Sequence, residues 1–282
     1  MYLVIVLLAL ALYSPLYGAG FVTDFLGWLD CRQDTHFFAS HLCFQNRGLY
    51  YIPFLFLTVL TDLFGTHPLP WYVIFTGLHA LNACLVASLL RALSRYFQVA
   101  VPAWVPLVAA LCFLLVPYQV EVVAWKACIN YLTTGAMLLA TVQLYLKWWA
   151  DGRRKWIGMT IGLYVISLFN LEFVLLLPVL LTGLHLLTPG EQRGSLRRVV
   201  SGVGPLYVVA ILFLVINILV MGKAVGHYET ELGTFNPLSL ASAELKYAFK
   251  ILFFGRLWPY PTQHLIYTAL SSTLAGALSF AA

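Results

Sequence analysis

Apolar stretches of about twenty residues, enough to cross roughly 30 Å of hydrocarbon, recur from one end of this chain to the other. Residues 70–90, 99–116 and 203–221 are the clearest. A backbone in lipid must satisfy its hydrogen bonds internally, so only helices and closed barrels can span. A barrel would read as short segments of alternating polarity, and this sequence has none. Composition agrees, since 61% of residues are hydrophobic and 10% charged, against about 25% charged in soluble domains. The expected fold is all-α, a polytopic membrane helical bundle of about eight spans, forming a single transmembrane domain over residues 1–282.

Residues 1–17 are apolar without a basic start. They read as a first membrane helix with a cytoplasmic N-terminus; the alternative is a cleaved signal peptide ending near Gly18-Ala19-Gly20. Residues 18–48 are polar, and 49–63 form a short apolar run broken by Pro53 and closed by Asp62, which suits an interfacial or re-entrant helix. Further spans are expected at 70–90, 99–116, 132–146, 156–169, 173–187 and 203–221. Between two of these, residues 116–131 place Glu121 and Lys126 at a membrane edge, where ionisable groups are costly and therefore suspected of function. The last apolar run, 264–282, has no flanking charge; spans ordinarily carry anchors at both ends, so the sequence is expected to continue.

Charge placement predicts orientation. The turns at 91–98, 147–155 and 188–202 hold nine lysines and arginines but only Asp151 and Glu191 as acids, which marks them as cytoplasmic. The outer side then receives 18–69 as a first loop, 117–131, the hairpin tip at 170–172, and 222–263 as a last loop. Nine of the eleven acidic residues fall there. The net charge of +5 is thus a matter of membrane topology, and no nucleic acid is implied. Long connectors in a compact protein are usually functional, which makes the outer, non-cytoplasmic face the working one.

Other residues carry less. Cys84 and Cys112 read as small core residues, while Cys31 and Cys43 share one outer loop and would pair if it faces an oxidising compartment. His36, His41, His67, His79, His227 and His264 lack the i, i+4 spacing of a zinc site, so a divalent metal has no motif behind it. His79 is expected to hydrogen-bond between helices. Trp148-Trp149, next to basic residues, reads as an interfacial belt.

The block Arg47-Gly-Leu-Tyr-Tyr-Ile-Pro53, followed by Leu63-Phe-Gly-Thr-His-Pro-Leu-Pro-Trp-Tyr72, Leu78-His-Ala-Leu-Asn82 and Leu89-Leu90-Arg91, resembles membrane glycosyltransferases of the GT-C fold that use polyprenyl-phosphate sugars. The O-mannosyltransferase-like branch is the most similar. Residues 117–125 resemble its His-Pro-x-His-Thr-Glu-Ala-Val-Ala motif, with Val116 and Gln119 standing where the family has histidines. Residues 167–178 resemble its Ser-Lys-Glu hairpin, and Asp24 occupies the place of the acidic residue after the first helix.

The resemblance implies an inverting hexosyltransferase of an inner membrane or its equivalent, with interfacial helices in the first outer loop. Its donor would be a lipid-linked sugar and its acceptor a hydroxyl on a protein or glycan; it would sit among membrane lipids and need no certain cofactor. A phosphate leaves without a proton, so one carboxylate base suffices, whereas glycosidases need a second acid. Asp24 is the expected base, the alternative being a solvated loop carboxylate or helix cap. Glu121 would hold the acceptor or orient the first loop, or else simply pair with Lys126. Glu172 joins the substrate-binding set unless it only stabilises the next helix's N-terminus. Arg47, Lys126 and Arg256 are expected to meet the lipid phosphate, though Arg256 in its aromatic run also suits a membrane anchor. Glu231 is placed for acceptor contacts. Two rival readings remain: a non-catalytic scaffold or degenerate relative, and a lipid flippase or transporter, which would carry mid-span acids and an inverted repeat.

Overall fold

The computed structural model describes residues 1–21, 24–33, 49–116, 119–188 and 195–222, with Thr262 and Thr268 as single positions. The chain divides into two compact units, Met1–Tyr228 and Glu229–Ala282, and the elements below belong to the first. All are helical: α1 Tyr2–Tyr13, α2 Asp24–Gln33, α3 Tyr51–Phe64, α4 Pro68–Tyr96, α5 Val105–Leu115, α6 Gln119–Ala124, α7 Ile129–Asp151, α8 Arg154–Leu168, α9 Leu177–Leu187 and α10 Leu196–Met221. Short 3₁₀ turns at Lys126–Cys128 and Glu172–Leu176 lead into α7 and α9.

Three described helical stretches, Pro68–Tyr96, Lys126–Asp151 and Leu196–Val220, are long and apolar enough to cross a membrane. This supports a membrane protein. The remaining apolar helices are shorter. Where residues 99–116 were expected to span, α5 has 11 residues, about 17 Å at 1.5 Å per residue. The cause is local: Pro102 and Pro106 lack backbone N–H groups, and α5 begins with Pro106 in its first turn. Conversely, α4 outruns the expected 70–90, starting with Pro68 at its first position and continuing through Arg91 and Arg95. At 14 residues α3 stops short of a span. Gly152 in the left-handed region (φ 68°) closes α7 and lets the chain turn at once into α8.

The bundle is built around α4 and α7, which run in the same direction and pack along their lengths, with α5 and α1 on the outer flank of α4 and α8 on that of α7. Three buried clusters follow. Ala80, Ala83 and Ala87 of α4 meet Ile5 and Ala9 of α1 and Ala110 of α5, small residues that allow close helix approach when lipid removes the hydrophobic incentive to associate. At the starting end of α4 and α7 lies an aromatic cluster of Phe25, Trp28, Trp71 and Phe75. A third cluster runs from Tyr145, Trp148 and Trp149 at their finishing end past Leu206 to Tyr164 and Leu177 beside the tip between α8 and α9. Large apolar side chains such as Leu187, Leu196 and Leu219 cover the outside, as expected of a surface solvated by lipid.

Gly202 of α10 makes the finishing-end cluster possible. A Cβ there would sit 2.3 Å from Trp148 Cζ3 and 2.6 Å from its Cη2, closer than any real contact. Gly202→Ala should therefore cost about 1–3 kcal/mol through overpacking and lower the thermal midpoint followed by intrinsic tryptophan fluorescence. Gly204→Ala, whose Cβ would meet only Val200 Cγ1 at 3.8 Å, should leave the midpoint in place. Equal effects of the two changes would contradict this packing.

Candidate functional site

The helix α6 is a single short stretch that ends as Trp125 turns extended (φ −92°, ψ 109°). That break swings Lys126 off the surface of α6 and into the bundle. Its side chain is 1% exposed. Nζ donates to the Val123 carbonyl at 2.8 Å and lies 3.3 Å from the Tyr72 ring centroid and 4.3 Å from that of Phe75. Those rings sit three residues apart on α4, on one helix face. An ammonium offers three donors; one goes to the carbonyl, and the π faces meet the remaining charge, a contact worth about 2 kcal/mol when desolvated. Among the described residues no carboxylate pairs with it.

Tyr72 does a second job. Its hydroxyl donates to the Gly20 carbonyl at 3.0 Å, with the Ala124 carbonyl at 3.5 Å. Gly20 precedes Asp24 by four residues and Ala124 follows Glu121 by three. One side chain therefore draws together the segment leading to Asp24 and the helix carrying Glu121. Asp24 is the first residue of α2, which packs against the Lys126–Cys128 turn. Phe25 fixes that helix by meeting Trp71 at 4.8 Å and stacking on Trp28 at 5.7 Å between centroids.

The tip between α8 and α9 docks at the same end. Asn170 is fully buried; its Nδ2 donates to Thr133 Oγ1 at 2.8 Å and Thr134 Oγ1 at 2.5 Å and reaches the Asn130 carbonyl at 3.2 Å. Its Oδ1 accepts from Thr133 Oγ1 at 3.0 Å. The tip is thus bolted to the first turns of α7. Glu172 is buried beside it and accepts a hydrogen bond from the Tyr50 hydroxyl, while Ile52 N–H donates to the Phe169 carbonyl at 3.2 Å.

Four sequence-predicted residues, Asp24, Glu121, Lys126 and Glu172, accordingly lie at one end of the bundle. Arg47, Glu231 and Arg256 lie outside the described residues, as do Cys43, His36, His41, His227 and His264. Several expectations need correction. Glu121 is exposed and does not pair with Lys126, because the helix break sends the lysine inward. Glu172 does open the helical stretch Glu172–Leu187, as the acid in its first turn, and its carboxylate also accepts a hydrogen bond from the Tyr50 hydroxyl. His79 makes no hydrogen bond of normal geometry among the described residues; its ring, beside the Leu114 carbonyl of α5, packs against Tyr13 and Phe113. Cys112 faces outward and is not a core residue, whereas Cys84 is half-buried. Trp148 and Trp149, 8% and 9% exposed, form no belt; α10 covers them through Gly202.

Sequence reasoning missed Tyr50, Tyr72 and His185. Tyr50 and Tyr72 stand inside the blocks that carry the family resemblance, but aromatic residues at a span's start read as ordinary interfacial anchors, so no role is assigned to either. His185, buried in α9, sits at the opposite end between Tyr96 OH (Nδ1, 2.9 Å) and Tyr145 OH (Nε2, 2.5 Å), against Trp149. Arg198 lies over Trp149, 4.7 Å from its centroid, and donates to its carbonyl.

Chemically, the starting end holds a buried lysine amine held by a carbonyl and two aromatic rings, and the exposed Glu121 carboxylate lies on the helix just before it. No group of three His, Cys, Asp or Glu gathers as metal ligands among the described residues. Comparison of the chain with protein-family models, with curated proteins and with solved structures returns no match.

Removal of the Tyr72 hydroxyl alone (Tyr72→Phe) should cost about 1 kcal/mol. Tyr72→Leu, which also strips the ring from the ammonium, should cost about 2 kcal/mol more, and Lys126→Met in that background should recover most of the loss, since an apolar side chain replaces a stranded charge. Thermal midpoints in detergent would report it, and a Lys126→Met change that worsens Tyr72→Leu would contradict the assignment.

Proposed function

We propose that the protein is a membrane glycosyltransferase that moves a sugar from a polyprenyl-phosphate donor to a hydroxyl acceptor, with inversion, at the non-cytoplasmic mouth of the bundle. The observation that carries this reading is the Tyr72 junction, which gathers Lys126, the approach to Asp24 and the helix of Glu121 at one end. The resemblance of residues 47–91, 117–125 and 167–178 to the GT-C enzymes supplies the chemistry.

In this scheme Asp24 takes the proton from the acceptor hydroxyl as its oxygen attacks the anomeric carbon. The bond from that carbon to the phosphate oxygen breaks, and the phosphate leaves with the electron pair. Glu121, exposed on α6, orients the acceptor or the first loop. Lys126 is too buried to bind a phosphate oxygen directly as placed, so its contribution is to hold the Tyr72 junction, and the phosphate role falls to Arg47. Glu172, held by Tyr50, fixes the hairpin against α7 behind the substrate. The helix count of a full GT-C bundle and its orientation belong to the same proposal.

A second reading, a non-catalytic scaffold, draws on one observation: Lys126 and Glu172 are both occupied by contacts within the bundle. The two readings separate on transfer of radiolabelled mannose or glucose from polyprenyl-phosphate donors in proteoliposomes. Asp24→Asn should lower turnover by about a hundredfold or more, the usual weight of a general base, and Glu121→Gln should lower it less. Turnover unchanged by both substitutions, at equal protein abundance, would favour the scaffold.

A further inference from the structure

The finishing end of α4 and α7 carries a groove that the sugar-transfer reading does not use. It has a volume of about 800 Å³ and runs along the seam between the two helices. Leu85, Ser88, Ala92 and Arg95 line it from α4, and Ala140, Gln143, Leu144 and Lys147 from α7, each set repeating at three or four residues along one helix face. From Leu85 to Arg95 the seam is about 15 Å long. Within it Gln143 Nε2 donates to the Leu85 carbonyl at 3.2 Å and to the Leu139 carbonyl at 3.3 Å, tying α7 to α4 there.

The groove changes character along its length. Away from the mouth it is lined mainly by Leu85, Ala92, Ala140 and Leu144, with Ser88 and Gln143 as the polar members. Its mouth carries Arg95 and Lys147, both exposed. Trp156 forms the rim; its Nε1 donates to Asp151 Oδ2 at 3.2 Å, and Lys147 Nζ lies 3.8 Å from its ring centroid. Asp151, the acid at the mouth, is therefore engaged by the indole, and Arg153, Arg154 and Lys155 follow it in the next turn. The local balance is strongly positive. Tyr96 and Trp149 supply the remaining wall, and their positions are set by the His185 contacts.

We infer that this groove binds one anionic membrane phospholipid, its acyl chain lying along Leu85, Ala92, Ala140 and Leu144 and its phosphodiester headgroup held by Arg95 and Lys147. Charge complementarity and the lengthwise order of apolar depth, indole rim and cationic mouth select this occupant: a free anion would leave the apolar depth unfilled, and a neutral lipid would leave the cations unanswered. A basic residue near an anionic leaflet contributes about 1 kcal/mol, or about fivefold in affinity. The inference stands apart from the transferase reading, since the groove is at the opposite end from Tyr72 and Lys126.

The test uses the full chain in mixed vesicles, with quenching of tryptophan fluorescence by brominated phosphatidylglycerol compared with brominated phosphatidylcholine. The wild type should bind the anionic lipid preferentially, because Trp149 and Trp156 border the groove. Arg95→Gln and Lys147→Gln should each reduce that preference about fivefold and together abolish it. Ala140→Phe, which fills the groove while leaving both charges, should abolish it as well. Equal quenching by the two lipids in the wild type would overturn the proposal, as would a preference that survives the double charge variant or Ala140→Phe. Displacement of the lipid by millimolar inorganic phosphate would also overturn it, since that result marks a site for the headgroup anion alone.

Discussion

The housing of one buried lysine amine sets the starting end of this bundle. Lys126 lies inside an apolar bundle with a carbonyl and two aromatic faces as its partners, and burying a charge in such surroundings costs several kcal/mol unless every nearby dipole and π face is enlisted. That demand dictates the geometry around it. Tyr72 and Phe75 must present their rings to one point, which sets the rotation of α4. The chain must break at Trp125 so that Val123 can offer its carbonyl. With its ring committed to the cation, Tyr72 has its hydroxyl free to hold the Gly20 segment. Asp24 and Glu121 come to the same end of the bundle as a consequence.

Elsewhere the bundle handles polarity by pairing neutral groups. Asn170 meets three oxygen partners on α7, and His185 bridges two tyrosine hydroxyls. Both networks join helices in a lipid environment, where hydrogen bonds and close packing replace the hydrophobic effect as the cause of association. The two networks also occupy opposite ends of α7, one anchoring its first turn and the other its last. The finishing end adds Gly202, whose missing side chain admits the Trp148 indole.

Much of this architecture was legible in the sequence. The apolar runs locate α3 and α8 to within two residues at each end, because hydropathy reports directly on what lipid tolerates, whereas α4, α7 and α10 extend five to seven residues beyond their runs and α9 starts four residues late. The failures share one cause, that a sequence records which residues are apolar or aromatic but not which neighbour covers them. Trp148 and Trp149 have the pattern of an interfacial belt, and only a glycine some fifty positions later decides that they are core. The inward turn of Lys126 follows from a break after Ala124 that no glycine or proline announces. His79 looked like a hydrogen-bonding residue, but the rings of Tyr13 and Phe113 reach it first. Of the candidate site, the carboxylates were legible because acids near a membrane stand out; the tyrosines that organise them were not.

The central claim is that the approach to Asp24 and the end of α6 meet at the Tyr72 hydroxyl. Pairwise crosslinking tests it most directly: Gly20→Cys and Ala124→Cys, introduced together into a background without native cysteines and treated in membranes with a short bifunctional thiol reagent. Both carbonyls lie within 3.5 Å of one oxygen, so an efficient intramolecular crosslink is predicted, with its yield falling when Tyr72→Leu is added. If the two thiols are each modified singly but fail to join, the two segments do not converge and the account is contradicted.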